Sequence, residues 1–185
     1  MFDGRSSTRQ DGQVTWTAPA IERDELAYVG DERTILESYL DWHRQTLLLK
    51  CAGLTADQLK QASVEPSNLT LLGLVRHMSE VERSWFQRRV AGRDIDWIYC
   101  TDASEDGDFD DVATADAEAD FARFHEEVEA ARAAVDGVPL EFTFVGRRQH
   151  DISLRWVYAH MIEEYARHNG HADLIRESID GMTGE

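Results

Sequence analysis

Apolar residues recur at intervals of three and four along four long segments of the chain, which is the period of an amphipathic helix. The four segments are residues 31–51, 68–90, 114–135 and 154–179. In the first segment the periodic positions are Ile35, Tyr39, Trp42, Thr46 and Leu49. Two connections between the segments are short, and the one between the second and third is long. This pattern predicts an all-α protein, a four-helix bundle with a long crossover between helices 2 and 3.

Capping residues mark the ends of these predicted helices. Asp31 precedes the first helix, where its carboxylate can accept a hydrogen bond from the first turn. Thr55 and Gln58 match a capping box, which predicts a short helical turn after the first helix. Asn68 or Thr70 caps the second helix. The predicted bounds therefore rest on local hydrogen bonding as well as on the apolar period.

The rest of the chain divides into an N-terminal arm and the bundle domain. Residues 1–30 show no sustained period and are interpreted as an irregular arm, whereas residues 31–181 form the bundle. Three apolar residues of the arm are candidates for anchoring it on the bundle: Trp16, Ile21 and Leu26. Residues 141–145 alternate in the manner of a short strand just before the fourth helix.

Composition narrows the choice of partner and compartment. The 36 acidic and 19 basic residues give a formal charge of −17, and such a surface repels phosphate backbones, which excludes nucleic acid and anionic membranes as partners. No apolar stretch reaches the ~18 residues that span a membrane, and the N-terminus lacks a signal-peptide pattern. Cys51 and Cys100 cannot form a disulfide framework, and Cys51 is interpreted as a small core residue. We expect a soluble, cytoplasmic protein. Its 17 arginines against two lysines are typical of a GC-rich bacterial genome.

Titratable side chains form a stripe along the fourth helix. His160, Glu164, His168 and His171 fall within an arc of roughly 80° when successive residues turn by ~100°. Apolar neighbours share or border this arc, so the stripe is predicted to face the core. Burying these groups without compensation would cost several kcal/mol, so hydrogen bonds, ion pairs or a bound ligand have to satisfy them.

The second helix offers a counterpart to this stripe. His77 shares its predicted inward face with Leu74, Val81 and Trp85. A histidine from one helix and residues spaced by four on a facing helix can converge on one metal ion. Imidazole and carboxylate groups suit zinc, nickel or iron(II), and three protein ligands leave open positions for catalysis.

Each of these signals also has a purely structural interpretation. His77 alone is more often a hydrogen-bonded core residue, and Glu164 with His168 is an ordinary pair on one helix. His160 and His171 either orient the metal ligands or fill the end of the bundle, and Trp85 lines the same pocket. No nucleophile motif or phosphate-binding loop is present, so a metal is the only source of catalysis that the residues offer.

Three stretches of the chain resemble the DinB/YfiT-like family of metal-binding four-helix proteins, and in particular its branch near mycothiol-dependent maleylpyruvate isomerase. The stretches are YLDWHRQTLLLKCAGLTADQL, PSNLTLLGLVRHMSEVERSWF and LRWVYAHMIEEYARHNGHADLIRE, within residues 31–180. The resemblance implies an actinobacterial protein with an up-down-down-up bundle that holds a divalent metal. Zinc is the expected metal, and nickel or iron are the alternatives. Its ligands fall on His77, Glu164 and His168. Many DinB-like proteins have histidine at the position of Glu164. The thiol-dependent branch has glutamate there, as this chain does.

The resemblance implies a metal-dependent thiol S-transferase or isomerase that uses mycothiol or a similar small thiol and an electrophile. A coordinated thiol is deprotonated, and the thiolate is the nucleophile. Residues that act beyond the metal are not identified by the sequence. The alternative is a non-enzymatic, metal-binding homodimer of a stress-response type, for which residues 97–99 offer a dimer contact. A bundle without metal, whose inward Glu and His side chains pair with each other, is a third interpretation.

Overall fold

The computed structural model describes the backbone of residues 7–10 and 13–184 and the side chains from residue 15 onward. The described helices are α1 (Glu32–Cys51), α2 (Ala56–Leu59), α3 (Leu71–Glu82), α4 (Gly107–Asp110), α5 (Ala117–Val135) and α6 (Leu154–Asp180). A π-helical segment, Arg83–Val90, continues α3, and a short 3₁₀ turn covers Val112–Thr114. The described strands are β1 (Ser7–Gln10), β2 (Gln13–Trp16), β3 (Thr143–Val145) and β4 (Asp151–Ser153). The chain is mostly helical, and its four long helices lie in the four predicted segments.

The predicted helix ends agree closely with the structure because the capping hydrogen bonds form. Asp31 accepts from the backbone N–H of Thr34 at 2.8 Å, and Thr55 begins α2 with both bonds of a capping box. Of the two residues proposed to cap the second helix, Thr70 does so. The third helix begins at Ala117 rather than 114, because the residues before it form the 3₁₀ turn.

The hydrophobic core lies between the long helices, with α1 packed against α6 and α3 against α5 and α6. The periodic apolar positions of α1 are not all on its buried face, since Tyr39 is exposed. Leu40, Leu47, Leu48 and Cys51 are buried, on a face of the helix that also carries the buried Arg44. Cys51 is fully buried, which confirms that it is a core residue.

The N-terminal arm is not wholly irregular. Strands β1 and β2 pair antiparallel, with Ser7 opposite Trp16. This pairing was not predicted, because each strand has only four residues, too few to establish an alternating pattern.

Two of the three predicted anchors of the arm pack on the core. Trp16 meets the ring of Phe121 edge to face at 5.4 Å, and Ile21 also packs on the core, whereas Leu26 is half-buried outside it. Ala18, which the sequence did not single out, is fully buried beside the loop after α1 and receives the backbone hydrogen bond of Gly53.

Two connections position the candidate site. The long crossover, residues 91–116, carries α4 against α3. The predicted strand at 141–145 is confirmed as β3, and it pairs with β4, which the sequence did not predict. This β3–β4 hairpin leads into α6, and β3 packs on the π-helical segment. Within the described residues, no helix is both long enough and apolar enough to cross a membrane.

Candidate metal centre

The structure brings together the three residues predicted as metal ligands. His77 comes from α3, and Glu164 and His168 lie one turn apart on α6; one donor atom from each lies within 4.8 Å of the other two. The centroids of the two imidazole rings are 4.8 Å apart, and His168 Nε2 is 3.6 Å from Glu164 Oε2. The helix spacing and the packing of α3 on α6 therefore produce the predicted convergence.

The stripe on α6 lies at the edge of the core rather than inside it. The side chains of His77, Glu164 and His168 are 25%, 24% and 12% exposed. The predicted core-facing orientation therefore holds only in part: these side chains are mostly buried but lie at the rim of the core, because α6 directs a neighbouring line of apolar residues, including Met161 and Tyr165, into the core. A half-buried position leaves these donor atoms accessible to an exchanging ligand.

A buried carboxylate fixes the orientation of His77. Asp108, on α4, places Oδ2 2.8 Å from His77 Nδ1 and is almost fully buried. A carboxylate only accepts hydrogen bonds, so Nδ1 carries the proton and Nε2 presents its lone pair. Phe109 stacks on the same imidazole with ring centroids 5.0 Å apart. This is the arrangement in which histidine ligands of metals are commonly held.

Arg76, next to His77 in the sequence, holds the crossover that supplies Asp108. Its guanidinium donates to the carbonyl oxygens of Asp108 and Gly107 at 3.0 and 2.8 Å, and to Asp120 at 3.1 Å. Gly107 has to be glycine, because a Cβ atom there would lie 2.4 Å from the carbonyl oxygen of Tyr99. The backbone at α4 is thus pinned where Asp108 reaches the histidine.

Glu80 ties the preceding part of the crossover to the same helix. Its Oε1 atom accepts hydrogen bonds from the backbone N–H groups of Ile98, Tyr99 and Cys100 at 2.8, 2.6 and 3.0 Å. Arg76 and Glu80 are both buried, one turn apart. The sequence analysis identified neither these two residues nor Asp108. For Arg76 and Glu80 the available signal was their charge on an otherwise apolar helix, whereas Asp108 lies within an acidic run that offered no such signal.

Aromatic rings lie next to Glu164, the carboxylate of the triad formed by His77, Glu164 and His168. His160 Nε2 lies 3.4 Å from Glu164 Oε1, and its ring contacts those of Trp85 and Trp156 at centroid distances of 4.7 and 4.8 Å. The structure therefore places His160 beside Glu164, and Trp85 lies on the far side of His160 and lines the neighbouring cleft. A second donor cluster comprises His160, Glu163 and Glu164, but it shares Glu164 and its Glu163 points largely to solvent.

Comparison with known families was decisive. A family model described as mycothiol S-transferase matches residues 35–181. The chain belongs to the mycothiol S-transferase family, a DinB/YfiT-like family. The resemblance read from the three sequence stretches is thereby confirmed. No curated protein matches the chain.

The protonation state of His168 favours metal binding at this site of the mycothiol S-transferase family member. Burial, followed by the charges of His77 and His171, lowers the pKa of His168 to about 4. His168 is therefore uncharged at neutral pH, which is the form that binds metals. The Nδ1 atoms of His168 and His171 are buried and have no hydrogen-bond partner among the described residues. His171, with its ring centroid 5.4 Å from that of His168, thus lies next to the triad as predicted.

Neither cysteine offers a nucleophile of the protein's own. Burial raises the pKa of the Cys51 thiol to about 12. Burial and the neighbouring Asp108 carboxylate raise that of Cys100 to about 11. Because the thiolate is the reactive form, both side chains are poorly reactive at neutral pH. A thiol substrate, as the family name implies, would have to supply the nucleophilic sulfur.

Proposed function

We propose that the protein is a metal-dependent S-transferase that joins mycothiol, or a similar low-molecular-weight thiol, to an electrophile. His77, Glu164 and His168 would hold the divalent metal. The observation that carries the proposal is the convergence of these three donors within 4.8 Å in a member of the mycothiol S-transferase family. The hydrogen bond from His77 Nδ1 to Asp108 supports it, because Nε2 is left available.

The residues favour zinc, with nickel or iron(II) as alternatives. Two imidazoles and one carboxylate are ligands that these metals accept, and three protein ligands leave an open position. A metal at this position lowers the pKa of a thiol that it binds, which makes the sulfur nucleophilic at neutral pH. An isomerase would instead add the thiol and its proton across a double bond of the substrate and then eliminate both, so that the thiol is regenerated.

The protein's own residues hold the site in place. Asp108 maintains the tautomer and orientation of His77, and burial keeps His168 unprotonated. A cleft of about 580 Å³ beside His77 gives room for the electrophile, and Trp85 and Phe109 line it with apolar surface. In the reaction a sulfur–carbon bond forms, the leaving group departs from the carbon, and the thiol proton passes to solvent.

The up-down-down-up order of the four helices and a cytoplasmic location are part of the same proposal. The packing of α1 on α6 and of α3 on α5 supports the bundle. The two unpaired cysteines suit a reducing compartment, in which a low-molecular-weight thiol is available.

The proposal is tested by the rate at which the metal-loaded protein conjugates mycothiol to monochlorobimane. We expect conjugation above the uncatalysed rate, and a loss of at least tenfold in His168→Ala because one metal ligand is missing. His125→Ala is the matched control, since this histidine lies exposed on α5. A wild-type rate equal to the uncatalysed rate, or full activity in His168→Ala, would contradict the proposal.

A further inference from the structure

Unpaired arginines are concentrated at one corner of this acidic molecule. Nine of the fifteen arginines whose side chains the structure describes form ion pairs with carboxylates. The other six are Arg23, Arg88, Arg89, Arg93, Arg147 and Arg148. Five of these six belong to the end of the π-helical segment, the residues just after it and the β3–β4 hairpin, which packs on it. With a net charge of −17, a cluster of cations without carboxylate partners is unexpected.

Two of these arginines line the cleft that also contains His77. Arg89 is half-buried, and Arg147 reaches the same cleft from the β3–β4 hairpin. Burial, together with the charges of Arg147 and Arg88, lowers the pKa of Arg89, and no carboxylate offsets these effects. Holding two guanidinium groups close together is unfavourable unless an anion joins them.

The acidic residues of the cleft do not neutralise this pair. Five carboxylates also line the cleft, those of Glu80, Asp102, Glu105, Asp106 and Asp108. None of them lies within 4.0 Å of either guanidinium, and those of Glu80 and Asp108 bind the backbone of residues 98–100 and His77 instead. Arg89 donates instead to the hydroxyl of Ser84, and Arg147 has no hydrogen bond or ion pair to another described residue. Both side chains therefore keep donors available for a ligand.

Two rings, those of Trp85 and His160, connect Arg89 to the candidate metal centre. The Arg89 guanidinium carbon lies 4.3 Å from the centroid of the Trp85 ring, and this ring contacts His160, which is next to Glu164. A flat organic molecule lying on Trp85 would have one end toward the metal ligands and the other toward Arg89.

We propose that Arg89 and Arg147 form a subsite for a carboxylate or similar oxyanion on the electrophilic substrate. This inference rests on the proposed function. The anionic end of the electrophile binds the two guanidinium groups, its apolar body packs on Trp85, and its reactive carbon faces His77, Glu164 and His168. Guanidinium groups bind carboxylates through charge-assisted hydrogen bonds, which gives both affinity and orientation. The subsite thus defines a substrate class: aromatic or similarly flat electrophiles that carry an acid group.

The test compares two electrophiles that differ only in charge, 4-(chloromethyl)benzoate and 4-(chloromethyl)benzamide. In both, the thiol sulfur bonds to the benzylic carbon, chloride leaves and the thiol proton passes to solvent. We expect kcat/KM to be about tenfold or more higher for the benzoate than for the benzamide, mainly because KM for the benzoate is lower. This preference should decrease as added salt screens the charges. Arg89→Gln and Arg147→Gln should abolish this preference, because kcat/KM for the benzoate falls to about that for the benzamide. Arg148→Gln is the control, because Arg148 is exposed and does not line the cleft.

A binding measurement keeps this inference separate from the proposed function. Unreactive 4-methylbenzoate should quench tryptophan fluorescence of the metal-loaded protein, with affinity reduced at least tenfold in Arg89→Gln and in Arg147→Gln. If mycothiol is conjugated neither to these electrophiles nor to monochlorobimane but this binding is observed, the S-transferase proposal fails and the anion subsite stands. Equal rates for the two electrophiles with equal binding of 4-methylbenzoate to wild type and variants would overturn the subsite.

Discussion

Asp108 is one of six acidic residues between positions 102 and 111, and it alone among them is almost fully buried. A run of acidic residues is typical of a solvated loop, and Asp108 is the exception to this pattern. Spacing gives no information about which carboxylate meets His77, because the contact forms only when the crossover folds against α3. The ligand positions themselves were predictable, since His77, Glu164 and His168 lie on regular helices where spacing determines direction.

Asp108→Asn tests the support that this carboxylate gives to His77. The amide keeps the shape of the side chain but loses its charge, and its nitrogen can donate to Nδ1 and favour the wrong tautomer. We expect metal affinity, measured by competition with a chelator, to fall about 10–100-fold. Asp110→Asn on the same short helix is exposed and should have no effect. Equal affinities for the two variants would show that Asp108 does not orient a metal ligand.

The lowered pKa of His168 predicts a pH dependence of stability in protein stripped of metal. Between the usual pKa of 6.5 and about 4, the unfolded chain binds a proton at this position and the native state does not. The free energy of unfolding should therefore decrease as the pH falls through this window. His168→Gln removes this contribution and should flatten the dependence measured by urea denaturation, whereas His150→Gln, on an exposed loop, should not. Parallel curves for wild type and His168→Gln would contradict the assignment.

At the scale of elements, predictability followed the range of the interactions involved. Helix ends were accurate because Asp31 and Thr55 form hydrogen bonds within their own helices. The buried face of α1 and the existence of β4 were missed. Both depend on partners distant in sequence: α6 selects Leu40 and Leu47 for burial, and β3 is the strand that β4 pairs with. The π-helical segment was not predicted either, because apolar spacing and capping residues do not distinguish it from an α-helix.

Glu80→Ala tests whether α3 organises the crossover. The substitution removes the acceptor of three backbone hydrogen bonds, and hydrogen bonds to a charged group contribute about 1.5–3 kcal/mol each at most sites. Because the released N–H groups are only partly buried and can reach water, we expect a total loss of about 2–3 kcal/mol in the free energy of unfolding. Glu129→Ala removes a surface ion pair on α5 and should cost less than about 1 kcal/mol. Similar losses in both variants would argue against this role for Glu80.

For the whole molecule, the charge of −17 has two different meanings. Most acidic side chains are exposed or paired with arginine, as expected for a surface excess. The exceptions among the described acidic residues include Glu164, which faces two histidines, and the buried Asp108 and Glu80. The surface departs from its acidic excess at the corner where Arg89 and Arg147 have no carboxylate partner. The overall charge therefore argues against nucleic acid and anionic membranes as partners. The candidate metal centre and the proposed anion subsite lie where individual charged residues differ from the exposed acidic surface.

Metal binding should raise the thermal stability of the whole fold. A ligand that binds only the native state at 100 times its dissociation constant stabilises by about 2.7 kcal/mol. For a chain of this length, that corresponds to a rise of roughly 5–10 °C in Tm. We expect EDTA to reverse the rise in wild type and to have no effect on His77→Ala. A Tm that is insensitive to zinc, nickel and EDTA would favour a bundle without metal.

The most direct test of the central claim is the divalent metal content of the purified protein, measured by elemental analysis after gel filtration. The described geometry predicts about one metal ion per chain in wild type and in His125→Ala. It predicts almost none in His77→Ala, Glu164→Ala and His168→Ala, because each of these removes one of three ligands. A wild-type protein without stoichiometric metal after incubation with zinc, nickel or iron(II), or variants that retain it, would contradict the claim.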